Sequence, residues 1–324
     1  MNTLSTVSST TLCYKKIIAI IANPFVSASA SYAYSASRQK NIACSGRGQY
    51  VSYCAIGSIY TSNDYGRTFV LKNHSPFPFT SICMSNSGQY QYVSSNGVSN
   101  TESAVFMSND YGVSFTKRHV SSVSNTSRFG EKMICNSTGQ YSVLFGNGNA
   151  GHPNMVSINF GVSYASMHDG LLRFTGCMSG TRFLTYESYN AEMRTCELTA
   201  TSIVEVRVSS SPYGSQTNQL ECDSLGNVIL LGNGSNVLCR SSDFGTTWAT
   251  VQGPLPIFIF CYFGGGKVFA CSSTTFYRSD DLGLTWPNIL YTLPAGETIK
   301  SFTGNITYIN YITNTGKVGV YTMV

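Results

Sequence analysis

An eight-residue pattern recurs along the chain and constrains its fold more than any other feature. The pattern is Ser-x-Asp-x-Gly-x-x-aromatic, and we call each copy an aspartate turn. Four copies keep every defining residue: Ser62, Asp64, Gly66 and Phe69; Ser108, Asp110, Gly112 and Phe115; Ser241, Asp243, Gly245 and Trp248; and Ser279, Asp281, Gly283 and Trp286. A fifth copy, from Ser157 to Tyr164, has Asn159 in place of the aspartate and keeps Gly161.

These residue types predict a tight hairpin turn. A short aspartate side chain accepts hydrogen bonds from backbone N–H groups one to three residues ahead. Glycine two positions later supplies a positive φ, and the aromatic residue starts the next strand and packs into the core. Catalytic or metal-binding aspartates would have to converge on one point, whereas turns on successive repeats lie apart. We therefore interpret these residues as structural.

A second landmark gives the length of the repeat. Glycine follows a short apolar strand and precedes a new one at Gly48, Gly88, Gly139, Gly180, Gly226, Gly266 and Gly304. A period of about 40–50 residues is typical of the blades of a β-propeller. We predict an all-β fold, a seven-bladed β-propeller with four-stranded antiparallel blades. In each blade the aspartate turn would join the third strand to the fourth, although the fourth repeat lacks the motif.

The last blade needs a fourth strand from the N-terminal part of the chain, because the sequence from Ile299 onwards accommodates only three strands. We expect a segment within Phe25–Ser37 to close the ring as the missing strand, which would remove two exposed sheet edges. The predicted domains are a flexible N-terminal extension over residues 1–23 and a single propeller over residues 24–324. The basic and apolar run before Asn23 has the outline of a signal peptide, and a buried or partner-binding strand is the alternative.

Composition excludes several partner classes. Lys and Arg total 20 against 15 Asp and Glu, a net charge of +5 over 324 residues, and only 11% of residues are charged. The basic residues form no cluster larger than a pair, so we expect no nucleic-acid partner. Since no apolar run approaches the roughly 18 residues that a membrane helix needs, we expect no membrane span.

Six of the eleven cysteines recur shortly before the landmark glycine, at Cys44, Cys83, Cys135, Cys177, Cys222 and Cys261, with Phe302 in the seventh repeat. We interpret this as one small buried position and expect free thiols, which favours folding in a reducing compartment such as the cytoplasm, or a place in a virus particle, over secretion. Five glycosylation sequons, beginning at Asn73, Asn125, Asn136, Asn233 and Asn305, point the opposite way. No Cys-x-x-Cys or histidine spacing suggests a metal, and we expect no cofactor.

The aspartate turns resemble the Asp-box, or BNR, repeats of sialidases, sortilin-type receptors and propellers similar to the photosystem II stability and assembly factor. The pairing of Gly-Gln-Tyr with Asp-Tyr-Gly also resembles Asp-box proteins encoded by large DNA viruses. The resemblance implies a propeller scaffold and no particular activity, because the motif is structural in all these families. Sialidases also carry an Arg-Ile-Pro motif, which neither Arg38 nor Arg47 matches here. No pair of carboxylates suited to glycoside hydrolysis can be assigned.

We therefore expect a non-catalytic interaction or assembly module that binds a protein partner, with a structural component of a virion among its roles. A carbohydrate-binding attachment module is the alternative, and a diverged glycoside hydrolase comes third. A broad apolar surface would favour the protein partner, a ring of aromatics the glycan, and paired carboxylates the hydrolase. The long segments Asn96–Ser103 and Ser121–Gly130 are candidate binding loops.

Overall fold

A computed structural model describes residues 16–22, 41–55, 57–75, 78–95, 103–121, 129–146, 154–166, 173–187, 191–199, 203–213, 219–223, 225–232, 237–252, 259–262 and 266–323. These residues form 28 β-strands, which we number in chain order. Over the described ranges no helix is long and apolar enough to cross a membrane.

The strands form seven four-stranded antiparallel sheets, which are the blades of a propeller. Blades 1 to 3 contain β2 (Ile42–Cys44), β3 (Val51–Ala55), β4 (Ser58–Ser62) and β5 (Val70–His74); β6 (Phe79–Met84), β7 (Gln91–Ser95), β8 (Ser103–Ser108) and β9 (Thr116–Ser121); and β10 (Phe129–Cys135), β11 (Ser142–Gly146), β12 (Met155–Ser157) and β13 (Ala165–Ser166).

Blades 4 to 6 contain β14 (Arg173–Ser179), β15 (Arg182–Glu187), β16 (Glu192–Leu198) and β17 (Ile203–Ser210); β18 (Gln219–Cys222), β19 (Ile229–Gly232), β20 (Val237–Ser241) and β21 (Ala249–Gln252); and β22 (Ile259–Tyr262), β23 (Val268–Cys271), β24 (Thr275–Ser279) and β25 (Asn288–Thr292). Blade 7 contains β26 (Ile299–Gly304), β27 (Tyr308–Thr313), β28 (Lys317–Thr322) and the N-terminal β1 (Lys16–Ala22).

The first strands of the blades are innermost. Each of β2, β6, β10, β14, β18, β22 and β26 contacts the first strand of the next blade, and β26 contacts β2 to close the circle. The predicted seven-bladed propeller with its N-terminal closing strand is thus confirmed.

The location of the closing strand was predicted incorrectly. The strand that pairs with β28 is β1, with Lys16 opposite Thr322 and Ala22 opposite Lys317, rather than a segment within residues 25–37. Its apolar, β-branched composition suits a strand, and it lies within the stretch expected to be an extension. Residues 1–15 and 23–40 lie outside the described residues, so the character of the predicted extension there stays a prediction.

Burial decreases from the inner to the outer strands. Every residue of β3, β7, β19 and β23 is buried, because each second strand is covered on both faces by neighbouring blades. The outer β5 is exposed or half-buried throughout. The described hydrophobic residues group into seven clusters, one at each boundary between consecutive blades. Packing between blades therefore supplies the core.

The cysteines occupy two positions instead of the single one predicted. Cys135 lies opposite Ser142, the third residue after the landmark Gly139. Cys177 lies opposite Leu184, the fourth residue after the landmark Gly180, so the two cysteines differ by one position in the repeat. Adjacent strand residues point to opposite faces, so Cys177 faces blade 5 and Cys222 faces back towards blade 4. Their thiols are hydrogen-bonded in the cluster between those blades. Cys54, Cys135, Cys177, Cys222 and Cys239 are thiols that form no disulfide, as predicted.

The landmark Gly304 lies inside β26 and has no positive φ. The turn that follows is formed by Asn305, whose Oδ1 accepts hydrogen bonds from the N–H groups of Thr307 and Tyr308 at 2.8 Å each.

The candidate binding loops lie outside the described residues at 96–102 and 122–128, while their ends belong to strands β8, β9 and β10.

Candidate functional site: the aspartate-turn face

The aspartate turn of blade 5 shows how the motif is held. Ser241 Oγ donates to Asp243 Oδ1 at 2.8 Å and accepts the N–H of Gly245 at 2.7 Å. Asp243 Oδ1 also accepts the N–H groups of Thr246 and Thr247 at 2.9 and 2.8 Å, and Oδ2 accepts the Thr247 hydroxyl at 2.6 Å. The aspartate thus bonds to N–H groups three and four residues ahead, one step beyond the predicted range, and these bonds occupy both carboxylate oxygens.

The other turns repeat this network between the third and fourth strands. The serine-to-aspartate, serine-to-glycine and aspartate-to-hydroxyl bonds recur for Ser62, Asp64, Gly66 and Thr68; Ser108, Asp110, Gly112 and Ser114; and Ser279, Asp281, Gly283 and Thr285. In blade 3, Asn159 Oδ1 accepts the N–H of Ser163 at 3.0 Å, and its Nδ2 donates to the Ser163 hydroxyl at 2.9 Å. In this turn an amide replaces the carboxylate. It donates a hydrogen bond to the serine hydroxyl, whereas the aspartates of the other turns accept one from the hydroxyl.

The hydrogen bonds also change the acidity of the aspartates. Burial acts to raise the pKa of Asp243, but bonds from Thr247, Ser241 and the Thr246 N–H outweigh it and hold the pKa at about 2. The pKa values of Asp64, Asp110 and Asp281 are lowered against the same opposing effect of burial, by the corresponding bonds. The carboxylates are therefore ionised at neutral pH and committed to their own turns.

Each turn packs against the preceding blade through its glycine. A Cβ on Gly66, where φ is 81°, would lie 2.0 Å from Oδ1 of Asn310 in blade 7. A Cβ on Gly245, where φ is 77°, would lie 2.9 Å from Leu184 in blade 4. Glycine is thus required here both for the backbone conformation and for the close approach of the preceding blade.

The residue before that glycine makes a contact that sequence reasoning missed. Tyr65, Tyr111, Phe160, Phe244 and Leu282 all have positive φ values between 55° and 66°. Three of them pack against a ring of the preceding blade. The centroids lie 5.0 Å apart for Tyr65 and Tyr308, 4.8 Å for Tyr111 and Tyr50, and 4.6 Å for Phe160 and Tyr90. The sequence signal for this contact was the recurrence of an aromatic residue before the turn glycine and of a tyrosine in the Gly-Gln-Tyr landmark.

The closing aromatic of each turn precedes the fourth strand and packs inward. Trp286 is buried in the cluster between blades 5 and 6, and Trp248 packs against the cluster between blades 4 and 5. Phe69 meets the ring of Tyr53 edge-on at 4.9 Å, and Phe115 packs against the cluster between blades 1 and 2. These aromatic residues are therefore engaged in packing within and between blades.

We call the side of the ring that carries the aspartate turns, together with the turns between first and second strands, the aspartate-turn face. A cavity of about 280 Å³ opens there between blades 4 and 5. Arg182, Leu225, Asn227, Asp243 and Phe244 contribute to its lining. The guanidinium carbon of Arg182 lies 4.2 Å from the centre of the Phe244 ring, a cation–π contact.

Exposed apolar side chains are distributed around this face. The residue after the turn glycine is Val113 in blade 2, Val162 in blade 3 and Leu284 in blade 6, with 64%, 61% and 48% of the side chain exposed. Leu225 of blade 5 is 75% exposed in a neighbouring turn of the same face. These apolar groups are available to a partner.

Acidic residues outside the turns are mostly paired with basic ones. Glu192 and Glu205 both accept hydrogen bonds from Arg194, and Glu297 accepts one from Lys317. Among the described residues, no group of three or more His, Cys, Asp or Glu is placed to hold a metal ion. The described part of the chain therefore offers no cluster with the arrangement expected of a metal centre.

Comparison with known proteins identifies the fold. No protein-family model matches the sequence, and no curated protein matches it. Similar solved structures include YCF48 bound to D1 peptide, with 10% identity, a TM-score of 0.65 and coverage of 94% of this chain and 97% of that one. A chain of the mitotic checkpoint complex has 10% identity, a TM-score of 0.68 and coverage of 100% and 99%.

A third similar structure is the Cps50 (Swd1) β-propeller domain of Myceliophteria thermophila, with 9% identity, a TM-score of 0.65 and coverage of 96% and 100%. At such low identity these likenesses concern the fold alone. The chain is a seven-bladed β-propeller.

Proposed function

We propose that this propeller is a non-catalytic module that binds a protein partner through its aspartate-turn face. The observation that carries the proposal is the exposure of Val113, Val162 and Leu284, each directly after a turn glycine. The hydrogen bonds that the turns share use only the backbone at this position, and blades 1 and 5 have Arg67 and Thr246 there. In blade 5 the Thr246 hydroxyl adds a bond of its own to the carbonyl of Asp243 at 2.7 Å. Apolar side chains that no turn requires gain free energy when a partner covers them.

The similar propellers support the same class of function. One is in complex with a D1 peptide and another belongs to the mitotic checkpoint complex, so both occur with other proteins. A structural role in a virion is a narrower form of this proposal and would require the partner to be a protein of the virus particle.

A glycan partner has less support. Sugar binding by stacking uses the free face of an aromatic ring, whereas the rings of Tyr50, Tyr90, Phe160 and Tyr308 on this face pack at a tilt against other rings across blade boundaries. Hydrolysis has less support again, because the turn aspartates are occupied by their own turns.

The test compares two sets of substitutions in the full chain. The face variant carries Val113→Asp, Val162→Asp and Leu284→Asp, and the control carries Val70→Asp and Ile289→Asp on outer strands, where the side chains are 55% and 61% exposed. Partners are captured from an extract of the source cells by photo-crosslinking at position 162 and identified by mass spectrometry. Each partner is then purified and titrated calorimetrically.

We expect the face variant to bind the purified partner at least about tenfold more weakly, as interface hot spots do, and the control to bind as the wild type does. Equal affinity of both variants for every captured protein would contradict the proposal. So would saturable binding to a glycan array by a protein that binds no polypeptide.

A further inference from the structure

The boundary between blades 4 and 5 differs in charge from the corresponding boundaries elsewhere in the ring. At three boundaries a tyrosine packs at a tilt against the turn aromatic of the next blade, as Tyr90 does against Phe160. Here Arg182 takes the place of the tyrosine, two residues after the landmark Gly180, and lies over Phe244. A permanent cation therefore lines the cavity at the position where three other boundaries have a neutral ring.

Arg182 has no carboxylate partner within the described part of the chain. Arg182 is exposed, and none of the described acidic side chains forms an ion pair with it. Glu197 is opposite Arg182 on the neighbouring strand but does not pair with it. Asp243 also lines the cavity, and hydrogen bonds within its own turn occupy both of its oxygens.

The platform beneath Arg182 is held in place. Arg207 donates to the carbonyl of Phe244 at 2.8 Å and also to the hydroxyl of Thr246, and the Phe244 side chain is 5% exposed. A guanidinium that stacks on a ring keeps its N–H groups in the plane of the guanidinium, where they match the two oxygens of a carboxylate. Arg182 therefore lies over a ring that is held in place by bonds to its own backbone.

The rest of the cavity lining defines the neighbours of such a carboxylate. Leu225 is 75% exposed beside the cavity and offers an apolar contact. Asn227 is exposed and offers an amide donor and acceptor. An acidic residue followed by an apolar residue in an extended segment has the matching chemistry.

We propose that this cavity binds an acidic side chain of the protein partner, with Arg182 pairing to the carboxylate and Leu225 packing against an adjoining apolar residue. The inference rests on the proposed function and specifies the chemistry of the segment that the aspartate-turn face recognises. The net charge of +5 favours the approach of an acidic segment.

The test uses two blocked peptides, acetyl-Gly-Ser-Glu-Leu-Ser-Gly-amide and its counterpart with Gln for Glu. Each is titrated into the full chain while NMR follows the backbone amide resonances of Leu225 and Asn227, which every variant keeps, and in the wild type also the Nε–H resonance of Arg182. The key variant is Arg182→Tyr, because tyrosine is the residue that packs against the turn aromatic at three other boundaries, and it removes the charge. Arg278→Met is the control, since Arg278 pairs with Asp280 on blade 6.

We expect the Glu peptide to shift the Arg182 resonance with a Kd of about 1 mM or tighter, and the Gln peptide to bind at least about tenfold more weakly. Arg182→Tyr should abolish this difference and Arg278→Met should keep it. Equal binding of the two peptides, or undiminished discrimination by Arg182→Tyr, would overturn the inference. Glutarate is titrated as a third probe, and affinity equal to that of the Glu peptide would indicate a site for small carboxylates and overturn the peptide assignment.

The two proposals fail separately. A captured partner that depends on Val113, Val162 and Leu284 but binds Arg182→Tyr normally would contradict the cavity inference alone. Peptide discrimination by Arg182 in a chain that captures no protein through this face would contradict the proposed function alone.

Discussion

Lys132 of blade 3 and Glu221 of blade 5 form an ion pair between two innermost strands that are not neighbours, with Nζ 3.4 Å from Oε1. Lys132 Nζ also donates to the carbonyl of Leu220 at 3.2 Å. The two side chains are 3% and 16% exposed. The pair reaches past blade 4 and links the inner ends of blades 3 and 5.

Replacement of Lys132 by methionine is expected to destabilise the fold by about 3–5 kcal/mol, because it leaves Glu221 charged in a largely buried place. Chemical denaturation of the full chain measures the change. The matched control is Lys267→Met, which breaks an exposed pair with Asp280 at 3.8 Å and should change stability by about 0–1 kcal/mol. Equal effects of the two variants would show that Lys132 has no special role.

Restoration of the aspartate in blade 3 is expected to stabilise the protein. In Asn159→Asp, the new charged carboxylate would accept hydrogen bonds from the Ser163 hydroxyl and N–H. We expect these bonds to add about 1 kcal/mol to the free energy of unfolding at neutral pH. Asp110→Asn in blade 2 is the reverse substitution in the same setting and should lower stability by a similar amount. Thermal denaturation compares them, and a less stable Asn159→Asp variant would refute the expectation.

Stability is expected to fall in acid because of the aspartate turns. The pKa of Asp243 in the folded state is about 2, below its ordinary value, so its ionised form favours folding at pH values above about 4. That contribution is lost progressively as the pH decreases towards 2. The melting temperature should therefore decrease over this interval, and Asp243→Asn should show a shallower decrease. Parallel curves for the two proteins would argue against this origin.

Substitution of Asn310 by leucine is expected to increase stability. The side chain of Asn310 is fully buried in blade 7, and neither amide atom has a hydrogen-bond partner among the described residues. The residues that meet the turn glycine at other boundaries include Leu184 and Leu230. Removal of a buried unsatisfied amide should add about 1 kcal/mol.

Asn305→Leu is the matched control for that experiment, because its amide oxygen holds the turn between β26 and β27. This variant should be less stable than the wild type in the same denaturation series. A destabilised Asn310→Leu protein would mean that the Asn310 amide is satisfied in solution.

The buried cysteines are expected to resist alkylation in the folded protein. Burial raises the pKa of the Cys54 thiol to about 12, and the pKa of Cys222 is raised by its hydrogen bond to Cys177 and by burial. Thiolates, the reactive form, are therefore rare at pH 8. Mass spectrometry after treatment with N-ethylmaleimide should show these sites modified only upon unfolding. A disulfide in the purified protein, or rapid labelling of Cys54, would contradict free, protected thiols.

The architecture could be predicted because its signals are local and repeated. Asp64, Asp110, Asp243 and Asp281 each bond within four residues of their own position, so the same short pattern forms the same turn wherever it occurs. The closing strand was placed incorrectly because a pairing between residues 16–22 and 317–322 leaves no local mark that distinguishes it from another apolar or Ser-rich segment.

The sequence by itself determined the number of blades, the order of their strands and the conformation of the aspartate turns, since these depend on neighbours in the chain. Only the tertiary structure decided that Arg182 meets Phe244, that Lys132 meets Glu221 and that Cys177 meets Cys222. Each of these contacts joins residues that lie about 45 to 90 positions apart on different blades. They depend on how whole blades pack around the axis, which no short pattern encodes.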